Sequence, residues 1–138
     1  MNLIFGTYNL DQKSNNAIFQ AINENSKPPY YSQLDTWSND YVHLGNYLNT
    51  PNSKNDIPIY TKDELTIIAN ARLDNHEELC KLLDIPNTKQ HEIPNHILLL
   101  RAYQKWNVDC VNHIRGDWAF CIWNDIKKNF LSFETNLD

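Results

Sequence analysis

The side chains that could carry covalent or acid–base chemistry are few and scattered. Cys80, Cys110 and Cys121 are odd in number and far apart, with no Cys-x-x-Cys pair, and read as reduced thiols packed as small hydrophobes. His43, His76, His91, His96 and His113 include no histidine pair at helical i, i+4 spacing. Four ligands at zinc spacing cannot be drawn from any local stretch, so no metal is expected. A thiolate catalyst would need one of these cysteines beside a histidine. Cys80 lies among leucines and Cys121 in an aromatic run, settings that bury a thiol and leave it inert. Gly6, Gly45 and Gly116 are the three glycines, and no two are close together. Loops that cradle phosphate need clustered glycines so that backbone can approach the anion, so neither an ATP loop nor a dinucleotide fingerprint is present. No cofactor is expected.

The elements that must position these groups fit one domain over residues 1–138. Hydrophobic residues make up 41% of the chain and aromatics 12%, enough to bury a core in a domain of this size. Twelve Lys and Arg against seventeen Asp and Glu leave a net charge of −5. Without a basic cluster to track phosphates, nucleic acid is not an expected partner. No apolar run approaches the roughly 20 residues that span a bilayer, and the opening lacks a secretory leader pattern. A cytoplasmic chain with no membrane contact is expected.

Residues 3–9 read as a strand with two apolar faces, and 14–25 as a helix with Ala17, Ile18, Ala21 and Ile22 at helical spacing. Strands are expected over 33–37 and 40–48, and a polar surface loop over 49–56. The run ELTIIANARL (64–73) reads as a further strand. Asp74 or Asn75 can cap the helix that follows, because Glu77 and Glu78 stand three residues on from each. Leu79, Leu82 and Leu83 form that helix's inner face, and Pro86 ends it. A second helix spans 93–106, with Pro94 near its start and Ile97, Leu98, Ala102 and Tyr103 as apolar contacts. Gly116 breaks the chain before a hairpin of 117–123 and 129–134, turning at Asn124-Asp125. Strands, two central helices and a closing hairpin predict antiparallel sheet with helices packed outside it.

Three stretches resemble the N-terminal glutaminase domain of asparagine synthetases and their relatives. The first, MNLIFGTYNLD, is similar to the family's opening strand, which begins Met-Cys-Gly-Ile. The second, IIANARLDNHEEL, resembles the strand-turn-helix after the substrate pocket. The third and most specific, LLLRAYQKWNVDCVNHIRGDWAFCIWND, resembles a helix followed by leucine-Gly-Asp and Phe-Ala-Phe-Ile-Trp-Asp. Their order and spacing agree with the family's, and the likeness is poorest over 27–62. It implies an α+β fold, a four-layer αββα sandwich of two antiparallel sheets flanked by helices, as in N-terminal-nucleophile hydrolases. FLSFETNLD closes the chain where the family continues into further strands, so the resemblance implies either a minimal, truncated sandwich or one whose missing strands come from a partner or a second copy.

In active members of this class II glutamine amidotransferase family, the exposed cysteine after the initiating Met is the nucleophile and its own α-amine the base. Here Asn2 stands at that position, and a carboxamide is no nucleophile. Asn2 is also bulky enough that Met1 is expected to remain. Leu3 replaces the family's Gly and would crowd the substrate carbonyl. The family's carboxylate-binding Arg-Gly-Pro turn has no counterpart among Arg72, Arg101 and Arg115, and an Arg fork is hard to replace. Asn70-Ala71 stands where the family has an oxyanion-binding Asn-Gly. Asn95 stands where an Asp reads the substrate's amino group. The resemblance thus implies a vestigial pocket of Asn2, Leu3, Asn70, Ala71 and Asn95, with no catalytic residue.

The same residues also have plainer readings. Asn70 can be a turn former and Asn95 a helix-start residue, while Arg72, Asp74 and Asn75 can knit the strand-to-helix turn. Relatives without glutaminase activity share the Ala-Arg-Leu-Asp-Asn pattern. Trp118, Phe120, Ile122 and Trp123 read as core or interface aromatics and aliphatics.

Two roles follow as expectations. In the first, the chain is a degenerate glutaminase-like domain that supports an ATP-dependent synthetase or cyclase domain or subunit. β-Lactam synthetases and lasso-peptide cyclases contain such domains. Exposed aromatics and the pocket near Asn2 would form the contact. In the second, it is a free-standing adaptor whose old pocket holds a peptide or small amide. An active amidotransferase lacks a nucleophile. The unpaired edge strand of the final hairpin predicts a homo- or hetero-oligomer.

Overall fold

The computed structural model describes residues 3–8, 33–39, 41–48 and 59–135. The expected helix over 14–25, the loop over 49–56 and Asn2 lie outside the described residues. The chain divides into two compact units, Met1–Ile59 and Tyr60–Asp138.

In the first unit, strands β1 (Leu3–Tyr8), β2 (Gln33–Ser38) and β3 (Val42–Leu48) form an antiparallel sheet in the order β1-β3-β2. Register runs from Leu3 opposite Tyr47 to Tyr8 opposite Val42 on one side of β3. On its other side Gln33 faces Leu48 and Ser38 faces His43. β3 starts later than the expected residue 40, and Asn39 is the reason. Its Oδ1 accepts the backbone N–H groups of Tyr41 at 2.9 Å and Val42 at 2.8 Å, a side-chain turn that uses donors a strand would need.

The second unit is built on the strands β4 (Ile59–Lys62), β5 (Leu65–Leu73), β6 (Gly116–Asn124) and β7 (Asn129–Glu134), ordered β4-β5-β6-β7. β5 and β6 are antiparallel over nine pairs, from Leu65 opposite Asn124 to Leu73 opposite Gly116. β7 returns antiparallel beside β6, with Ala119 opposite Glu134. β4 went unpredicted. It is four residues long, and the polar run before it in the sequence hides the alternation. Asp63, at φ +54°, turns it into β5, and Thr61 and Thr66 share a 2.9 Å hydroxyl contact across that turn. The chain is α+β with two antiparallel sheets and helices, as predicted.

Two helices join β5 to β6. α1 (His76–Leu82) and α2 (Asn95–Trp106) are linked by a 3-10 turn at Asn87–Lys89, and a second, Asn107–Asn112, follows α2. At seven residues α1 is too short to hold without tertiary packing, and Leu79 and Cys80 supply it, both fully buried. Leu82 does not: it is 42% exposed, while Leu83 packs against the core as expected. Pro86 comes too late to be the stop. The amides of Asp84 and Ile85 bond the carbonyls of Lys81 and Cys80 at 3.2 and 2.9 Å, a Schellman closure with Asp84 left-handed at φ +56°.

Leu98, Leu99, Leu100 and Ala102 of α2 pack with Ile67, Ala69, Phe120 and Ile122 of the sheet in one core. Cross-strand partners share a face, so Ile67–Ile122 and Ala69–Phe120 project toward the helices together. Burying each large apolar side chain contributes about 1.5–3 kcal/mol. Ile68, Thr66 and Trp123, on the alternate face, are also buried, so this sheet is enclosed on both faces at its centre.

Candidate functional site

Ala71 and Asn95 meet. Asn95 is the first residue of α2 after Pro94, and its Nδ2 donates to the Ala71 carbonyl at 3.1 Å. The side chain thus ties the helix start to β5. Asn70 is half-buried in β5 opposite Ala119. Leu3 opens β1 in the first unit, and Asn2 lies outside the described residues.

The β5–α1 turn is tied in several places. Asn75 does not cap α1 through its side chain. Instead its Nδ2 donates to the His113 carbonyl at 2.8 Å and its Oδ1 accepts the Arg115 amide at 3.0 Å, bridging nearly forty residues. Its Nδ2 also approaches Glu78 Oε2 at 3.3 Å, the one trace of the expected capping pair. The Asp74 amide donates to the Arg115 carbonyl at 2.8 Å. Arg72 pairs with Asp74 at 3.3 Å and Asp117 at 3.0 Å, but all three side chains are exposed, so these ion pairs add little. Asn75→Ala leaves two backbone groups without partners and is expected to lower stability by about 2 kcal/mol. Urea denaturation beside Arg72→Ala, expected within about 0.5 kcal/mol of the parent, checks the ranking.

The cysteines are poor nucleophiles. His76 does stand beside Cys80, with Nδ1 3.7 Å from Sγ. Its Nε2 lies 3.1 Å from the Ile93 carbonyl. A carbonyl only accepts, so Nε2 carries a hydrogen, and in the neutral ring this leaves Nδ1 to accept from the thiol. Cys80 is fully buried, and burial, then Glu77, pushes its thiol pKa up. Cys121 is half-buried, less than its aromatic setting predicted, and contacts Ser132 Oγ at 3.4 Å. Its pKa is raised by burial against the Ser132 hydrogen bond.

Burial pushes Cys110 from 9.0 to about 11. With the folded value above the unfolded one, its contribution to stability is intact below pH 9 and lost as pH climbs toward 11. The urea midpoint should therefore fall between about pH 8 and about pH 10.5. Cys110→Ala should flatten part of that fall, and an unchanged slope in this variant would show that the thiol is not its source.

A feature the motifs did not announce lies where β6 begins and β7 ends. Thr135 Oγ1 accepts the Trp118 amide at 2.7 Å and donates to the Trp118 carbonyl at 3.0 Å. Beside this junction is an open cleft of about 670 Å³ between the second 3-10 turn and residues 132–135. Trp118, in its wall, is nine-tenths buried and its indole N–H has no acceptor among the described residues. A polar atom without a partner leaves no sequence signature. Among the described residues no three side chains cluster as metal ligands, and no helix is long and apolar enough to cross a membrane.

An antiparallel sheet with helices on one face, and an Asn-Ala-Arg-Leu-Asp-Asn turn joined to a helix start, define a glutaminase-type domain. The chain belongs to the glutamine amidotransferase domain family, whose profile matches residues 48–135. It is similar to asparagine synthetase [glutamine-hydrolyzing] 3 of Bacillus subtilis strain 168, at 38% identity over 72 residues. That likeness covers 52% of this chain and 12% of the relative.

Proposed function

We propose that the chain is a glutamine amidotransferase-type domain that does not hydrolyse glutamine and serves as a structural partner for an ATP-dependent amide-forming domain or subunit. The observation that carries this reading is the Asn95–Ala71 hydrogen bond. At the position of the family's acidic reader of the substrate amine stands an amide, and its donor is committed to main chain. It offers no negative charge to a substrate ammonium. Ala71, where the family has glycine, adds a Cβ beside the same carbonyl. Asn2 in place of cysteine supports the same conclusion, since no thiolate is available there.

Ammonia release from glutamine by the purified chain tests the catalytic half. None is expected, and none should appear in Asn2→Cys or in Asn2→Cys/Asn95→Asp, because the Arg fork for the substrate carboxylate is also missing. Turnover by the unaltered chain would overturn the reading. The partner half is tested by sedimentation with an ATP-dependent synthetase domain encoded beside this chain. A stable complex is expected, and two independent species would refute that role.

A further inference from the structure

We infer that the cleft beside β7 is a docking site for an extended peptide strand. This goes beyond the proposed function and uses different residues.

Among the described residues β7 is the last strand of its sheet, with β6 on one side. The register pairs Ala119 with Glu134, and one step beyond it the Thr135 amide donates to the Trp118 carbonyl at 2.9 Å. Bonding direction alternates along an antiparallel ladder. Phe133 and Leu131 therefore turn their backbone groups toward β6, while Ser132 and Glu134 turn theirs outward. Both line the cleft.

The cleft thus meets a row of backbone donors and acceptors that no other strand among the described residues pairs with, and Val111, Ile114 and Phe133 give it apolar walls. A peptide adding to such an edge gains main-chain hydrogen bonds, and an adjacent pocket selects its side chains.

Charge specifies the peptide. Arg115 and Glu134 are exposed in the cleft lining. Among the described residues neither side chain forms an ion pair. Because Gly116 precedes the β6 residues opposite β7, Arg115 lies beyond the end of β7 that Glu134 closes. Antiparallel addition then places the peptide's amino end toward Arg115. An acidic residue there, a basic residue following it opposite Glu134 and an apolar residue between them match both charges and the walls.

The probe is the fluorescein-labelled, amidated peptide Asp-Val-Lys-Val-Thr, titrated by anisotropy against the full 138-residue chain. Saturable binding is expected. Arg115→Glu should weaken it at least about tenfold, and the swapped peptide Lys-Val-Asp-Val-Thr should bind that variant better than the parent. Circular dichroism confirms that the variant is folded. A further arm needs no variant: methylating the peptide's backbone nitrogens should abolish binding. Failure to saturate, equal binding to Arg115→Glu, or equal binding of the methylated peptide would each overturn the proposal. Lysine or aspartate as a free amino acid competing as well as the peptide would also overturn it, showing a small zwitterion site in place of a strand site. Glutamine hydrolysis is measured separately, so neither result decides the other.

Discussion

Gly116→Ala is expected to lower the unfolding free energy by more than about 3 kcal/mol, although it adds a single methyl group. Gly116 sits at φ +134°, a backbone region essentially closed to residues with a Cβ. A Cβ built there would lie 2.0 Å from the Arg72 carbonyl oxygen and 3.1 Å from the Asp74 amide nitrogen. Both obstacles are main chain, so no rotamer change relieves them. β5 cannot step aside either. Leu73 faces Gly116 at the end of a nine-pair ladder, and the Asp74 amide is held by Arg115. Retreat would also break the two Asn75 bonds to His113 and Arg115. Urea denaturation should show a lower midpoint with an unchanged m-value, the pattern of lost stability in an intact fold. A loss below about 1 kcal/mol would mean that the strand ends separate without penalty.

Gly116 also shows how much could be read from the residues. Its break before a strand was legible because glycine before an alternating aromatic run marks a turn. Its contact with Arg72 was not, since that needs the register of two segments more than forty residues apart. Asn75 teaches the same lesson. Local spacing to Glu78 suggested a helix cap, but the side chain spends its hydrogen bonds on a distant segment, and tertiary partners prevailed over the local motif. Periodicity placed α2 and the β6–β7 hairpin well, because long amphipathic and alternating runs repeat their signal. It failed for β4, four residues long, and for Leu82, which stays exposed while its neighbour Leu83 packs on the core. At the candidate site, the amide at Asn95 beside Pro94 was visible in the sequence. What the amide does, tying α2 to the Ala71 carbonyl, required the fold.

Phe120→Ala is expected to lower stability by about 3–5 kcal/mol. Phe120 is fully buried at the centre of the second unit's core, opposite Ala69 on one side and Phe133 on the other. Its ring stacks 4.9 Å from Phe133 and tilts 5.5 Å from Trp118, so truncation removes two aromatic contacts as well as buried area. Ala69 is too small to fill the space, and the ladder fixes both neighbouring strands, so a cavity remains. Phe120→Leu keeps much of the volume and should cost appreciably less, which separates cavity formation from loss of ring stacking. Phe133 and Trp118 also line the cleft beside β7. If Phe120 holds those rings in place, Phe120→Leu should weaken peptide binding at the cleft while remaining folded. Unchanged affinity in that variant would show that the cleft wall is held by the β6–β7 backbone and Thr135 alone.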